Sequence, residues 1–197
     1  MFSGRVQATV VVHGTLGLLA CVWSAHLGGS VLHQGEPLGT TRAIALPLGL
    51  SLGALAGVVA AWATQRAMTR TRWGRELRGA LRDSVLDLRA AQVPALALAA
   101  AVGEELFFRG ALLPALERSL GLTLAVVVSS VAFGLVHVPG NRRLRAWPVA
   151  AAVLGVVFAL LTRWTGEVLA AVAAHAVLNH ENLRWLLAHR VGARSWR

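Results

Sequence analysis

The chain has 197 residues, of which 56% are hydrophobic and only 14% charged, with a mean hydropathy of +0.61. A soluble domain carries about 25% charged residues, so the composition excludes an ordinary soluble protein and points to one membrane-embedded domain over residues 1–197. The net charge of +10 comes from arginine alone; with no basic groove or nucleic-acid module beside it, it excludes nucleic acid as a partner and points to loops lying against anionic lipid headgroups.

In chain order, residues 6–27 form a first apolar stretch of spanning length, since about 20 residues cross a bilayer. It carries His13, Trp23 and His26 and has no small-residue cleavage site, so it reads as a retained helix and not a signal peptide. Cys21, the only cysteine, can form neither an intrachain disulfide nor a cysteine metal cluster and is expected as a small buried residue. Residues 28–42 are a Gly/Pro-punctuated loop. Residues 43–63 form the second span, where Gly49, Gly53 and Gly57 recur every four residues and give one smooth helix face for close packing.

Residues 65–89 change character. Seven arginines interleave with Met68, Trp73, Leu77, Leu81, Val85, Leu86 and Leu88 at helical spacing. This reads as an amphipathic helix in the membrane interface, or equally as a cytoplasmic linker helix. Further spans follow at 92–117, 122–138, 148–161 and 168–187, with turns at Gly121, at 139–147 and at 163–167. The expected fold class is therefore all-α: about six spans plus an interfacial helix. Six spans put both termini on one side. Fifteen arginines fall there (Arg5, seven in 66–89, Arg142, Arg143, Arg145, Arg184, Arg190, Arg194 and Arg197) against four elsewhere, which makes that side cytoplasmic.

The third span holds the chemistry. Glu104, Glu105 and Arg109 sit inside a run of Ala, Leu and Val, where ionisable groups are costly and mark function. Glu105 and Arg109 are four apart and can pair along one helix face; Glu104, turned by about 100°, lacks a local partner. Glu105 lies 16 residues before Gly121 and His137 lies 16 after it, so an antiparallel hairpin brings both to one height. The 163–167 turn places His175 and Asn179 in the same layer. A carboxylate, two imidazoles and a carboxamide in a low-dielectric pocket suit hydrolysis: the carboxylate as general base on water, a histidine and an amide as oxyanion donors.

In order and spacing, Glu-Glu-x-x-x-Arg, Phe-x-x-x-His and His-x-x-x-Asn resemble the motifs of the CAAX protease and bacteriocin-processing family. These are intramembrane glutamic endopeptidases that include the Ras-converting prenyl-protein protease. The resemblance covers residues 90–182, the expected catalytic core. It implies that Glu104 and His137 activate water, that His175 and Asn179 form the oxyanion hole, and that Glu105 and Arg109 are a supporting pair. It further implies a membrane-associated protein or peptide as substrate and no cofactor or metal. The lysine-free, alanine- and arginine-rich composition suggests a high-GC bacterium and its inner membrane, and nothing in the sequence selects the substrate.

Beside these readings stand plainer ones. Phe133 is pocket wall. His180 faces away from Asn179, and Glu181 and Asn182 are the polar end of their helix. His13, His26, His33 and His189 are structural or interfacial, and Glu167 is a helix N-terminal acid favoured by the dipole. Two alternatives remain open. Glu104, His137 and His175 could present a two-histidine, one-carboxylate set to zinc, although there is no HExxH. The chain could also be a non-catalytic scaffold or immunity protein.

Overall fold

The structure, a computed structural model, describes residues 4–37, 41–85, 87–138 and 144–189. Of the residues named above, Leu86, Arg142, Arg143, Arg190, Arg194 and Arg197 lie outside this set. The fold is all-α, as the composition and periodicity predict. The helices are α1 (Gly4–His26), α2 (Arg42–Arg70), α3 (Arg72–Ser84), α4 (Val93–Glu105), α5 (Leu113–Leu135), α6 (Trp147–Thr165) and α7 (Val168–Ala188). A 3-10 turn, Ala90–Gln92, leads into α4, and a π-helical segment, Leu106–Leu112, joins α4 to α5.

Among the described residues, four stretches are long and apolar enough to cross a membrane: Val6–His26, Ala43–Arg70, Ala90–Leu135 and Trp147–Thr165. The third, of 46 residues, makes two passes, because Gly121 takes a left-handed backbone (φ 73°, ψ 165°) that reverses the chain inside it. Glycine adopts that conformation without the clash a Cβ would bring. The pairing across the reversal follows directly, with Leu113 packed near Val126 and Phe108 against Phe133. α7, 21 residues long, is not among the four. It carries His175, Asn179, His180, Glu181 and Arg184, and is surrounded by α2, α4 and α6, with α3 across one end. A helix enclosed by its neighbours can carry polar groups that a lipid-facing one cannot.

The glycine face of α2 lies against α7. A Cβ on Gly53 would collide with the carbonyl of Ala170, and one on Gly57 would come within 2.8 Å of Val177 Cβ. The two backbones therefore approach as closely as glycine allows, which is where dispersion contacts between helices are densest. Asn182 fastens the far end of this pair, donating to Thr64 Oγ1 at 3.0 Å, while Gln65 Nε2 donates to its amide oxygen at 3.2 Å. A Gly53→Leu substitution is expected to destabilise the purified protein by about 1–3 kcal/mol through overpacking, read as a lower thermal midpoint in detergent. An unchanged midpoint would show that α2 and α7 separate freely.

Two sequence expectations change. Cys21 is exposed, not buried. It lies on the outer face of α1 next to exposed Val22, and in a membrane protein an apolar residue is as much at home facing lipid as facing the core. The amphipathic stretch is also shorter than its periodicity. Residues 65–70 continue α2, Thr71 breaks the helix with extended backbone, and its side chain caps α3 by accepting from Gly74 N at 3.0 Å. The inner face of α3 buries Leu77 and Ala80 against the bundle, while Arg72, Trp73 and Arg75 stay exposed. Leu88 lies beyond its end and packs with Val6, Val93 and Leu187.

The turn from α6 to α7 is closed by left-handed Gly166 (φ 70°) and is gripped by the loop after α1. Gln34 N donates to Gly166 O at 2.8 Å and Val168 N to Leu32 O at 3.0 Å. Glu167 stands at the N-cap of α7 and is 2.8 Å from His33 Nδ1, so it serves this loop contact as well as the helix dipole.

Candidate active site

Glu104 and Glu105 end α4, and the π-helical segment begins at the next residue. A π turn is wider than an α turn, with i→i+5 in place of i→i+4 hydrogen bonds. Within this segment the carbonyl of Gly110 accepts from Gln34 Nε2 at 3.2 Å. The segment also carries Arg109 into the interior, where it is 1% exposed. Its Nη1 lies 3.2 Å from Glu105 and its Nη2 donates to Gly155 O at 2.9 Å. Three rings enclose the guanidinium, with Phe133 at 4.4 Å, Phe158 at 5.5 Å and Phe108 at 5.8 Å from ring centroid to Cζ. A cation so enclosed is held by the ring faces as well as by its carboxylate. Phe133 is thus wall to both the arginine and the histidines, at 4.8 Å from His137 and 5.9 Å from His175.

Glu105 does more than pair with Arg109. Its Oε1 also accepts from His175 Nδ1 at 2.8 Å. The second glutamate therefore links two helices, and the imidazole it orients is buried and stacked on Phe158, with centroids 5.1 Å apart and planes 20° off parallel. Glu105 thus supports the site through His175 as well as through its pair with Arg109. Phe158 was not singled out from the sequence, because a phenylalanine in an apolar span carries no signal of its own.

Glu104 is the meeting point. His137 Nε2 lies 3.7 Å and His175 Nε2 4.0 Å from its Oε2. His137 donates its Nδ1 hydrogen to Phe133 O at 2.7 Å, one helical turn back. Both rings therefore have Nδ1 committed to an acceptor and turn Nε2 toward Glu104. Glu104 Oε2 itself is buried without a hydrogen-bond partner. An orphaned carboxylate oxygen facing two imidazole nitrogens in a low-dielectric wall is poised to bind and deprotonate a small polar molecule such as water.

Of the residues picked out from the sequence, the structure brings together Glu104, Glu105, Arg109, Phe133, His137 and His175. Asn179 stands one turn further along α7, half-buried, and takes no part in this hydrogen-bond network. His180 and Glu181 line an apolar groove with Pro94, Ala97 and Leu98 between α4 and α7. His26 and His189 are exposed, and His33 pairs with Glu167. His13 is the residue the sequence reading missed: its Nε2 is 2.9 Å from Glu104 Oε1. It sits alone in an apolar helix ninety residues before the motif, and only packing of α1 on α4 brings it there. Among the described residues, no group of three or more His, Cys, Asp or Glu side chains is arranged to hold a metal ion.

Residues 87–180 match the family model described as Type II CAAX prenyl endopeptidase Rce1-like. No curated protein and no solved structure matches the chain significantly.

Proposed function

Since residues 87–180 belong to the Rce1-like type II CAAX prenyl endopeptidase family, whose members are membrane proteases, we propose that this chain is an integral membrane endopeptidase of the glutamic type, hydrolysing its substrate with Glu104 as the base on water. The observation that carries the reading is the unpartnered, buried Oε2 of Glu104 with the Nε2 atoms of His137 and His175 at 3.7 and 4.0 Å. A water held between Oε2 and His137 gives its proton to the carboxylate as its oxygen bonds the scissile carbonyl carbon. The carbonyl oxygen becomes an oxyanion, which His175 and the nearby Asn179 amide stabilise by donation. Glu105, held beside Arg109, fixes the His175 ring through Nδ1 at 2.8 Å and so aims its Nε2 at the site. Breaking the C–N bond then releases the amine, which takes the proton held on Glu104 or passed through His137.

The substrate is a membrane-associated protein or peptide, cut near the cytoplasmic side of a bacterial inner membrane. The arginine bias that puts both termini in the cytoplasm supports that placement. The test is peptidase activity of the purified protein against a detergent-solubilised membrane-protein pool, comparing wild type with Glu104→Ala, each with and without chelator. Loss in the mutant alone supports the glutamate mechanism. Loss with chelator and rescue by zinc would replace it with a zinc mechanism. Equal cleavage by wild type and mutant would leave the chain a scaffold.

A further inference from the structure

His13 lies in the middle of α1, a helix outside the matched residues 87–180. Its ring is half-buried and fully engaged. Nδ1 is 2.7 Å from the carbonyl oxygen of Thr9, one turn back, and Nε2 is 2.9 Å from Glu104 Oε1. A carbonyl only accepts, so Nδ1 bears a hydrogen. A neutral ring would then turn a bare Nε2 lone pair toward an ionised carboxylate oxygen, which is repulsive at hydrogen-bond distance. The contact is attractive only with a proton between the two atoms. His137 and His175 also have Nδ1 committed, but they stand at 3.7 and 4.0 Å, outside bonding range. Of the three imidazoles around Glu104, His13 alone binds it directly.

The backbone is built for this contact. A Cβ on Gly103 would collide with the carbonyl of His13 and come within 2.7 Å of its Cβ. One turn on, Gly17 approaches the same point, where an added Cβ would lie 3.7 Å from Gly103 Cα. α1 and α4 thus touch backbone to backbone at the height of Glu104, and the imidazole is delivered to one edge of the carboxylate. The result is an asymmetric carboxylate: Oε1 is bonded and Oε2 is free.

We propose that His13 is a positioning residue of the active site, holding Glu104 Oε1 through a shared proton so that Oε2 alone faces the water and the histidines. This rests on the peptidase reading given above. Glu104 is the titratable group that faces His13 from α4. Behind it stand His137, just past the end of α5, and His175 of α7, while Arg109 of the π segment is turned to Glu105 and Gly155. Removing His13 frees the carboxylate to rotate and takes a proton-bearing group from beside the base.

Two readouts test it on the full-length protein in nanodiscs. The first is nitrogen-15 NMR of labelled histidine rings, which needs no substrate. In the wild type the His13 signals show a hydrogen-bonded proton at Nε2; in Glu104→Gln that shared-proton signature is lost. The second is the rate of cleavage in the membrane-protein pool. His13→Ala lowers the maximal rate about 10- to 100-fold by misplacing the base. His13→Gln, of similar size and with an N–H for Oε1, regains much of that rate, a rescue that a merely space-filling role would not need. It also keeps the test valid if the alanine variant does not fold. A wild-type rate in both His13 variants, or ring signals indifferent to Glu104→Gln, would overturn the proposal. Undiminished cleavage by Glu104→Ala would instead remove the peptidase reading and His13's catalytic role with it, even with the His13–Glu104 bond visible by NMR.

Discussion

Replacing Arg109 with leucine is expected to destabilise the protein by about 3–5 kcal/mol, the cost of leaving one member of a buried ion pair uncompensated. For a chain of this size that is a fall of about 10 °C in the thermal midpoint. The basis is specific. Glu105 is fully buried and Arg109 is 1% exposed, so neither can turn to solvent when its partner is lost. Leucine also empties the space between Phe108, Phe133 and Phe158 and leaves the carbonyl of Gly155 without its donor. Arg109→Lys keeps the charge but not the planar fork that reaches Glu105 and Gly155 together, and is expected to fall between the two. The informative comparison is the double variant Glu105→Leu, Arg109→Leu. Removing both charges removes the buried-charge penalty, so much of the stability returns. Activity does not, because His175 has lost the carboxylate that holds its Nδ1 at 2.8 Å. A double variant that recovered cleavage along with stability would show that Glu105 only balances Arg109.

The second large effect is catalytic. Glu104→Gln and His137→Ala are each expected to lower the cleavage rate about 10²- to 10⁴-fold, the range general acid–base groups supply. Combined, they should cost little more than the worse single change, since two groups acting on one water fail as a unit. Their side chains stand 3.7 Å apart, brought together by the chain reversal at Gly121. Glutamine keeps the shape of the site and loses the base, so thermal midpoints should stay near wild type while the rate collapses. Multiplicative losses in the double variant would mean that the two residues act in separate steps, and His137 would then be reassigned to the leaving amine.

Much of this arrangement was legible in the residues themselves. Helical pitch is constant, so residues equidistant from a turn stand at one height; that arithmetic alone sets Glu104 and Glu105 opposite His137. Every-fourth glycine in residues 49–57 announced a close helix contact because only a residue without a side chain permits it. Charges in a membrane-length apolar run announced a site because they are costly anywhere else.

Other features carried no such signal. Hydrophobicity does not say which side of a membrane helix faces the protein, since lipid and core are equally apolar; Cys21 therefore faces out, and Phe158 turns out to stack on His175. The π-helical segment that swings Arg109 inward is a backbone choice stabilised by distant partners, among them Gln34.

By itself, then, the sequence determined an all-α membrane protein, the antiparallel hairpin at Gly121 and the set of polar residues at its heart, because each follows from local pitch and the cost of charge in an apolar medium. Which atoms meet was decided by tertiary structure alone. Glu105 binds His175 as well as Arg109, and Glu104 is held on one edge by His13 from a helix ninety residues away. Those partnerships depend on the rotation of each helix about its own axis, and that is set by packing against neighbours, which no single helix encodes.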